Sequence, residues 1–321
     1  MAEKEIKMGG QAVIEGVMMR SSDTWAVAVR SPKGEILVRK EPFNPVGKRF
    51  LFLKLPVLRG AVVLIETLVL GVKALGYSAD VASTEQDEGE AKPGKNEEGG
   101  FWWTLSLFGT VALSLILGIA LFFYLPLILT EMLNIESTLL FNIVDGIFRI
   151  IIFLAYLVII SRWSEIQRVF EYHGAEHKTI FAYEDGRELT WDNIKPYSTF
   201  HQRCGTSFIL ILMLVSILVF IMLGKPHVWQ ERALRMLFIP LIGGISYELI
   251  KLGDRYSGNL LFRLLIEPGL WLQRITTREP DRDQVEVAVA SLQAALGQEV
   301  KGAPCPPVAG SASLSAEQTG T

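Results

Sequence analysis

Residues 104–129 read TLSLFGTVALSLILGIALFFYLPLIL, and residues 139–160 read LLFNIVDGIFRIIIFLAYLVII. Both runs are almost wholly Leu, Ile, Val, Phe and Ala. A hydrocarbon core about 30 Å thick takes about 20 apolar residues of helix to cross, and each run supplies them. Soluble core helices rarely stay apolar on every face for so long. Thr206–Leu223 and Ala233–Leu249 are shorter but still long enough to span. The sequence thus specifies an α-helical integral membrane protein with about four transmembrane helices, held within residues 102–255.

The bulk figures agree. Half of the 321 residues are hydrophobic and the mean hydropathy is +0.33. The lipid bilayer is therefore the first expected partner. A net charge of −3 gives no reason to expect a nucleic-acid partner. The opening MAEKEIKMGGQ lacks an apolar core, so no cleavable signal is expected and targeting falls to the internal spans. Two cysteines, Cys204 and Cys305, are too few for a disulfide framework. Cys305 lies in a Pro-, Ala- and Ser-rich tail, residues 299–321, whose composition predicts disorder.

Lysine and arginine choose the orientation of the spans. The connection EMLNIES after the first span holds none, whereas Arg162 to Arg203 holds six. The stretch before Leu55 holds ten and the region from Lys251 onward seven. Four spans with both termini in the cytoplasm satisfy this pattern, with Lys225, Arg232 and Arg235 as a mild contrary signal. Val57–Tyr77 is apolar apart from Arg59, Glu66 and Lys73, spaced seven apart along one stripe of a helix. As a fifth span it would move the six-cation connection outside. Residues 55–78 are therefore expected to lie in the cytoplasmic interface or re-enter it, with a plain span packed on its charged stripe as the alternative.

Residues 1–54 form a small N-terminal β element. Thr24–Arg30 and Glu35–Lys40 are β-prone runs around the turn signal Ser31-Pro-Lys-Gly34. QAVIEGVMM after Gly9 and Gly10 suits a first strand or a close-packed loop, and these glycines make no phosphate-binding pattern. Residues 79–101 read as an acidic flexible linker. In residues 256–298, Leu260–Ile266 and Leu270–Ile275 flank Glu267-Pro-Gly269 and suit an interfacial helix with a break. A cytoplasmic amphipathic helix follows over Pro280–Leu296, with Pro280 in its first turn. Asp145 and Arg149, four apart in the second span, are expected to pair and ease insertion.

The chemistry concentrates in the connection between the second and third spans. In Tyr172-His-Gly-Ala-Glu-His-Lys178, two histidines four apart on a helix differ by about 40° around its axis and face one way. His173 and His177 can thus bind one Zn²⁺, with Glu176 close enough to take a proton from water. The order H-x-x-E-H inverts the common zinc-protease string. His201 and Cys204, in HQRCGT just before the third span, are candidates to complete the site, as is Glu248 at the cytoplasmic end of the fourth. Three histidines plus Cys204 would close a structural tetrahedron, whereas fewer ligands leave a position open for hydrolysis. The plain alternative is ordinary hydrogen bonding by these histidines and a helix salt bridge from Glu176 to Lys178 or a neighbouring arginine. His227, in the outer connection, takes no role.

These strings resemble the YqhQ-like family of bacterial membrane proteins of unknown function. The resemblance is carried by GGQAVIEGVMMR at 9–20, AVAVR at 26–30, YHGAEHKTI at 172–180 and HQRCGTSF at 201–208. GGISYELIKL at 243–252, PGLWLQRITTREPD at 268–281 and VEVAVASL at 285–292 carry it further, to cover residues 9–292. The family is described as a predicted metal-dependent enzyme, so the resemblance implies a multi-pass protein of the bacterial cytoplasmic membrane with a metal site. It implies no substrate.

Two functions follow as expectations. One is a membrane-embedded zinc-dependent hydrolase facing the cytoplasm, with His173, His177 and His201 on the metal, Glu176 activating water, and Cys204 or Glu248 as further ligands. The other is a non-catalytic scaffold or membrane-protein biogenesis factor. Its cytoplasmic elements would dock membrane-protein partners or a second copy, and its His/Cys cluster would be structural. A transporter fits less well, because Pro126 and Pro240 are the main breaks in spans poor in charge.

Overall fold

The computed structural model describes residues 8–48, 50–83, 101–256 and 259–298. Most of the expected linker at 79–101 and the whole tail at 299–321, with Cys305, lie outside the described residues.

The β element is a four-stranded antiparallel meander: β1 (Gly9–Val13), β2 (Gly16–Arg20), β3 (Thr24–Arg30) and β4 (Ile36–Pro42), in spatial order of sequence. The expected turn closes β3 onto β4, with the Gly34 N–H donating to the Ser31 carbonyl at 2.8 Å. Alternation along β3 sends Ala26 and Ala28 to one face and Trp25, Val27 and Val29 to the other. Both faces are buried. Helix α1 (Leu58–Ser83) covers the second face with Leu70, Ala74 and Val81. The first face receives two helices from the rest of the chain, α5 (Ser164–Glu184) and α11 (Arg282–Ala295). The chain between them supplies α2 (Phe101–Ile119), α3 (Leu125–Glu131) and α4 (Thr138–Ile160) before α5. After α5 come α6 (Trp191–Ile194), α7 (Gly205–Leu223), α8 (Trp229–Leu237), α9 (Ile239–Arg255) and α10 (Leu260–Thr276).

Among the described residues, four helical stretches are long and apolar enough to cross a membrane: Gly109–Glu131, Thr138–Ile160, Gly205–Leu223 and Trp229–Gly253. They fall on the runs expected from hydropathy. The first is α2 running into α3 through a π turn at Ala120–Tyr124. Pro126 explains the widening, because proline lacks an N–H and its ring displaces the carbonyl four residues back. The last is α8 running into α9, with Pro240 in the first turn of α9.

Helix α1 is not one of these four. Its Gly60 lies against Gly244 of α9, and its Arg59 pairs with Glu248 at 2.6 Å. Leu58, Ile65, Leu68, Val69, Val72 and Leu75 are exposed along it. It therefore joins the sheet to the helical bundle while keeping an apolar stripe outward. Two local expectations differ from the structure. Helix α10 continues through Pro268 without a break, because Ile266 and Leu272 are both packed on either side of it. Pro280 precedes α11 rather than entering it: Asp281 is the cap, its carboxylate accepting the Gln284 N–H while the Gln284 side chain takes the Asp281 N–H.

Candidate metal centre

Helix α5 packs one face into the core and carries the histidine pair on another. Tyr172, Ala175, Ile180 and Ala182 pack into the core under the sheet. One turn apart on a different face, His173 and His177 bring their ring centroids to 4.4 Å. Gly174 between them is required by close approach: a Cβ there would stand 2.0 Å from the Arg278 carbonyl oxygen. The chain after α10 is thereby laid directly against the histidine turn, and the Arg278 N–H donates to the Phe170 carbonyl at 2.9 Å.

Cys204 arrives from the other direction as the N-cap of α7. One ring nitrogen from each of the two histidines and Cys204 Sγ lie within 4.8 Å of one another. His173 Nε2 is 3.2 Å from Sγ. The opposite ring nitrogens face backbone carbonyls: His173 Nδ1 is 2.8 Å from the Thr276 oxygen and His177 Nδ1 is 2.5 Å from the Thr199 oxygen. A carbonyl only accepts, so both Nδ1 atoms carry a proton and donate. Nε2 of each ring is thereby turned toward the sulfur, available to a metal once it carries no proton. An outward-donating Nδ1–H is the arrangement that fixes ligating histidines.

The electrostatics favour a thiolate. Burial raises the Cys204 thiol, but the charge of His173 and hydrogen bonds from both histidines outweigh it and hold the group well below the usual thiol range. The sulfur also meets the Thr206 N–H at 3.4 Å and Thr206 Oγ1 at 3.0 Å, at the positive end of α7. Burial lowers His173, but the facing thiolate outweighs it and lifts the imidazole to about 9. His177 is lowered, chiefly by burial. Two nitrogens and one thiolate sulfur form a donor set that suits Zn²⁺.

Glu176 lies on the same helix, buried, and its carboxylate accepts the Gly10 N–H of β1. Burial pushes its carboxyl up to about 8, against the charge of His173. Lys178, its expected salt-bridge partner, turns instead to the Lys195 carbonyl and to Glu279.

Two other sequence candidates are placed differently. His201 is one ring further out, 5.4 Å from His177 between centroids and 4.6 Å from Phe181. Its Nδ1 accepts the Arg203 N–H at 3.2 Å, and Gln273 holds its backbone N–H and carbonyl at 2.7 and 2.8 Å. Glu248 is engaged by both Nε and Nη2 of Arg59, at 3.1 and 2.6 Å. Thr199, Thr206, Gln273 and Thr276 were not singled out by sequence reasoning. The only signal pointing to them is that Thr206, Gln273 and Thr276 fall inside the unusual strings at 201–208 and 268–281.

Residues 55–298 match a family described as a protein of unknown function, DUF1385. An uncharacterised protein, YqhQ of Bacillus subtilis strain 168, is 35% identical over 294 residues, covering 91% of this chain and 92% of its own. Neither description carries a metal or an activity. No solved structure matches.

Proposed function

This chain belongs to the DUF1385 family, and we propose that it is a membrane-embedded, metal-dependent hydrolase whose centre is His173, His177 and Cys204. One observation carries the proposal: both histidines donate Nδ1–H to backbone carbonyls, so both Nε2 atoms converge on the one buried sulfur. Burying that many acceptors together is costly unless a cation or a proton sits among them.

Zn²⁺ held there supplies Lewis acidity to water or a substrate carbonyl. The protein supplies the rest. Thr276 and Thr199 fix the two rings, the facing histidines hold the sulfur ionised, and the Thr206 N–H meets it. Three protein donors leave a fourth position open. Glu176, whose carboxyl stands at about 8 without a metal, would be suited to take a proton from water and return it to a leaving group once the charge of a bound cation lowers it. His201 and Glu184 stand behind His177, 3.9 Å apart, as an outer layer.

Depth supports a membrane-associated substrate. Cys204 directly precedes the apolar helix Gly205–Leu223, and Thr276 ends α10, which exposes Leu260, Leu264 and Trp271. A lipid, a polyprenyl compound or a membrane-tethered peptide fits that level. Cation-rich connections support a cytoplasmic face for the site and both termini in the bacterial cytoplasm.

The test is metal content by mass spectrometry on untagged protein purified in detergent. Stoichiometric zinc in the wild type, lost in His177→Ala and kept in Glu176→Gln, is expected. No metal in the wild type sinks the hydrolase. It would leave the cluster as a hydrogen-bonded clip in a scaffold, to be pursued through co-purifying partners.

A further inference from the structure

At the opposite end of α7 from the metal centre lies a second buried polar cluster. The helix between them has 19 residues, about 28 Å at 1.5 Å per residue. The expected pair is present: Arg149 Nη2 donates to Asp145 Oδ2 at 3.0 Å. A third member joins it from α8. Arg235 is 1% exposed, and its Nη2 donates to Asn142 Oδ1 at 2.7 Å and to the Gly224 carbonyl at 2.6 Å. Its Nη1 stops 3.9 Å from Asp145 Oδ2, beyond hydrogen-bonding distance.

The cluster therefore holds two guanidinium groups against one carboxylate, one positive charge in excess. Among the described residues, Arg235 Nε and Nη1, Arg149 Nε and Asp145 Oδ1 have no hydrogen-bond partner. The remaining acids nearby are committed elsewhere. Glu131 pairs with Arg232 at 2.7 Å, and Glu231 accepts the backbone N–H of His227. Phe220 faces both guanidinium groups, at 5.0 Å from Arg149 and 4.9 Å from Arg235, offsetting part of their charge without supplying an oxygen acceptor to their N–H groups.

A neutral water would bridge Arg235 Nη1 to Asp145 Oδ1 but leave the excess charge and the other donors unmet. An oxyanion answers both at once, because it brings charge and several acceptors and no donor. We propose that Arg235 and Arg149 bind a phosphate group at the end of the bundle away from the metal centre. The group is carried by a lipid headgroup or by free phosphate. Asp145 limits the affinity and orients the two guanidinium groups.

The experiment follows thermal unfolding of the full chain in detergent during two titrations. One adds phosphatidylglycerol, with phosphatidylcholine as the zwitterionic control. The other adds inorganic phosphate against chloride at equal ionic strength. The wild type is expected to gain stability saturably with one phosphate source. Arg235→Gln should need about tenfold more of it, and Asp145→Asn less. A response to phosphatidylglycerol alone assigns a lipid headgroup, and a response to inorganic phosphate assigns the free anion. Should Arg235→Gln not fold, Arg235→Lys keeps the charge, loses the planar fork and must still bind more weakly. A wild type indifferent to both sources, or variants that respond as it does, overturns the proposal.

Discussion

Gly10 and Glu176 meet between β1 and α5: the Gly10 N–H donates to the buried carboxylate, and a Cβ on Gly10 would come 2.7 Å from Oε1. The N-terminal strand is thus part of the site, tying the sheet to the group proposed as the proton acceptor.

Gly10→Ala should push that carboxylate aside and also crowd the Met18 carbonyl oxygen, 2.8 Å from the added Cβ. The overpacking is expected to cost about 1–3 kcal/mol, read as a lower unfolding temperature in detergent. Zinc content should not change, because no proposed ligand is moved. Unchanged stability in the alanine variant would show that the contact does not constrain Glu176.

Glu176 also sets a pH dependence. Its carboxyl is raised from 4.5 to about 8 in the folded protein, so folding retains a proton that the unfolded chain releases. That contribution to stability is complete below about pH 4.5 and lost as pH rises through about 8. Between pH 5 and 8.5 the chelator-treated wild type should lose stability more steeply than Glu176→Gln. Parallel curves for the two proteins would remove the carboxyl as the cause.

In the metal-free protein Cys204 should already be a thiolate at neutral pH. Burial opposes this, but the facing imidazoles prevail. On a Cys305→Ser background, absorbance near 240 nm should persist well below the ordinary thiol range and disappear in Cys204→Ser. Absorbance rising only near the ordinary thiol value would contradict it. Zinc added to this form should release protons, chiefly from the His173 imidazolium, raised to about 9.

Arg59 and Glu248 should behave as a pair rather than as part of the metal centre. Glu248→Gln is expected to keep full zinc content. Because the pair is partly exposed, at 34% and 18%, its stability effect should be small, about 0–1 kcal/mol. The charge-swapped double variant should recover most of it. Loss of zinc in Glu248→Gln would instead restore Glu248 as a ligand.

The spans were legible because an all-round apolar run has one reading. The histidine pair was legible because positions four apart on a helix share a face. Cys204 was legible by its depth relative to them. What holds these groups was not. Thr199 and Thr276 act through carbonyl oxygens, which every residue carries and no side-chain pattern marks. The string at 268–281 reads as unconnected with a metal site, yet its Thr276 and Arg278 lie against α5 and its Gln273 clamps His201. Arg235 joins Asp145 across a long sequence separation, so spacing within one helix exposed only the Arg149 half of that cluster. His201 illustrates the converse: its proximity is readable, but the direction of its ring depends on the Gln273 clamp.

The two carbonyls that orient the histidines also fix when the centre can form. Thr199 is translated before α7 and Thr276 at the end of α10, with two stretches long and apolar enough to cross a membrane between them. A nascent chain halted after α7 has His173, His177 and Cys204 on hand, yet His173 still lacks its outward acceptor. The proposed centre would be complete only once the last two apolar stretches are in place and the end of α10 has packed against His173. Metal loading would then mark a finished polypeptide, and truncated products would leave synthesis without it.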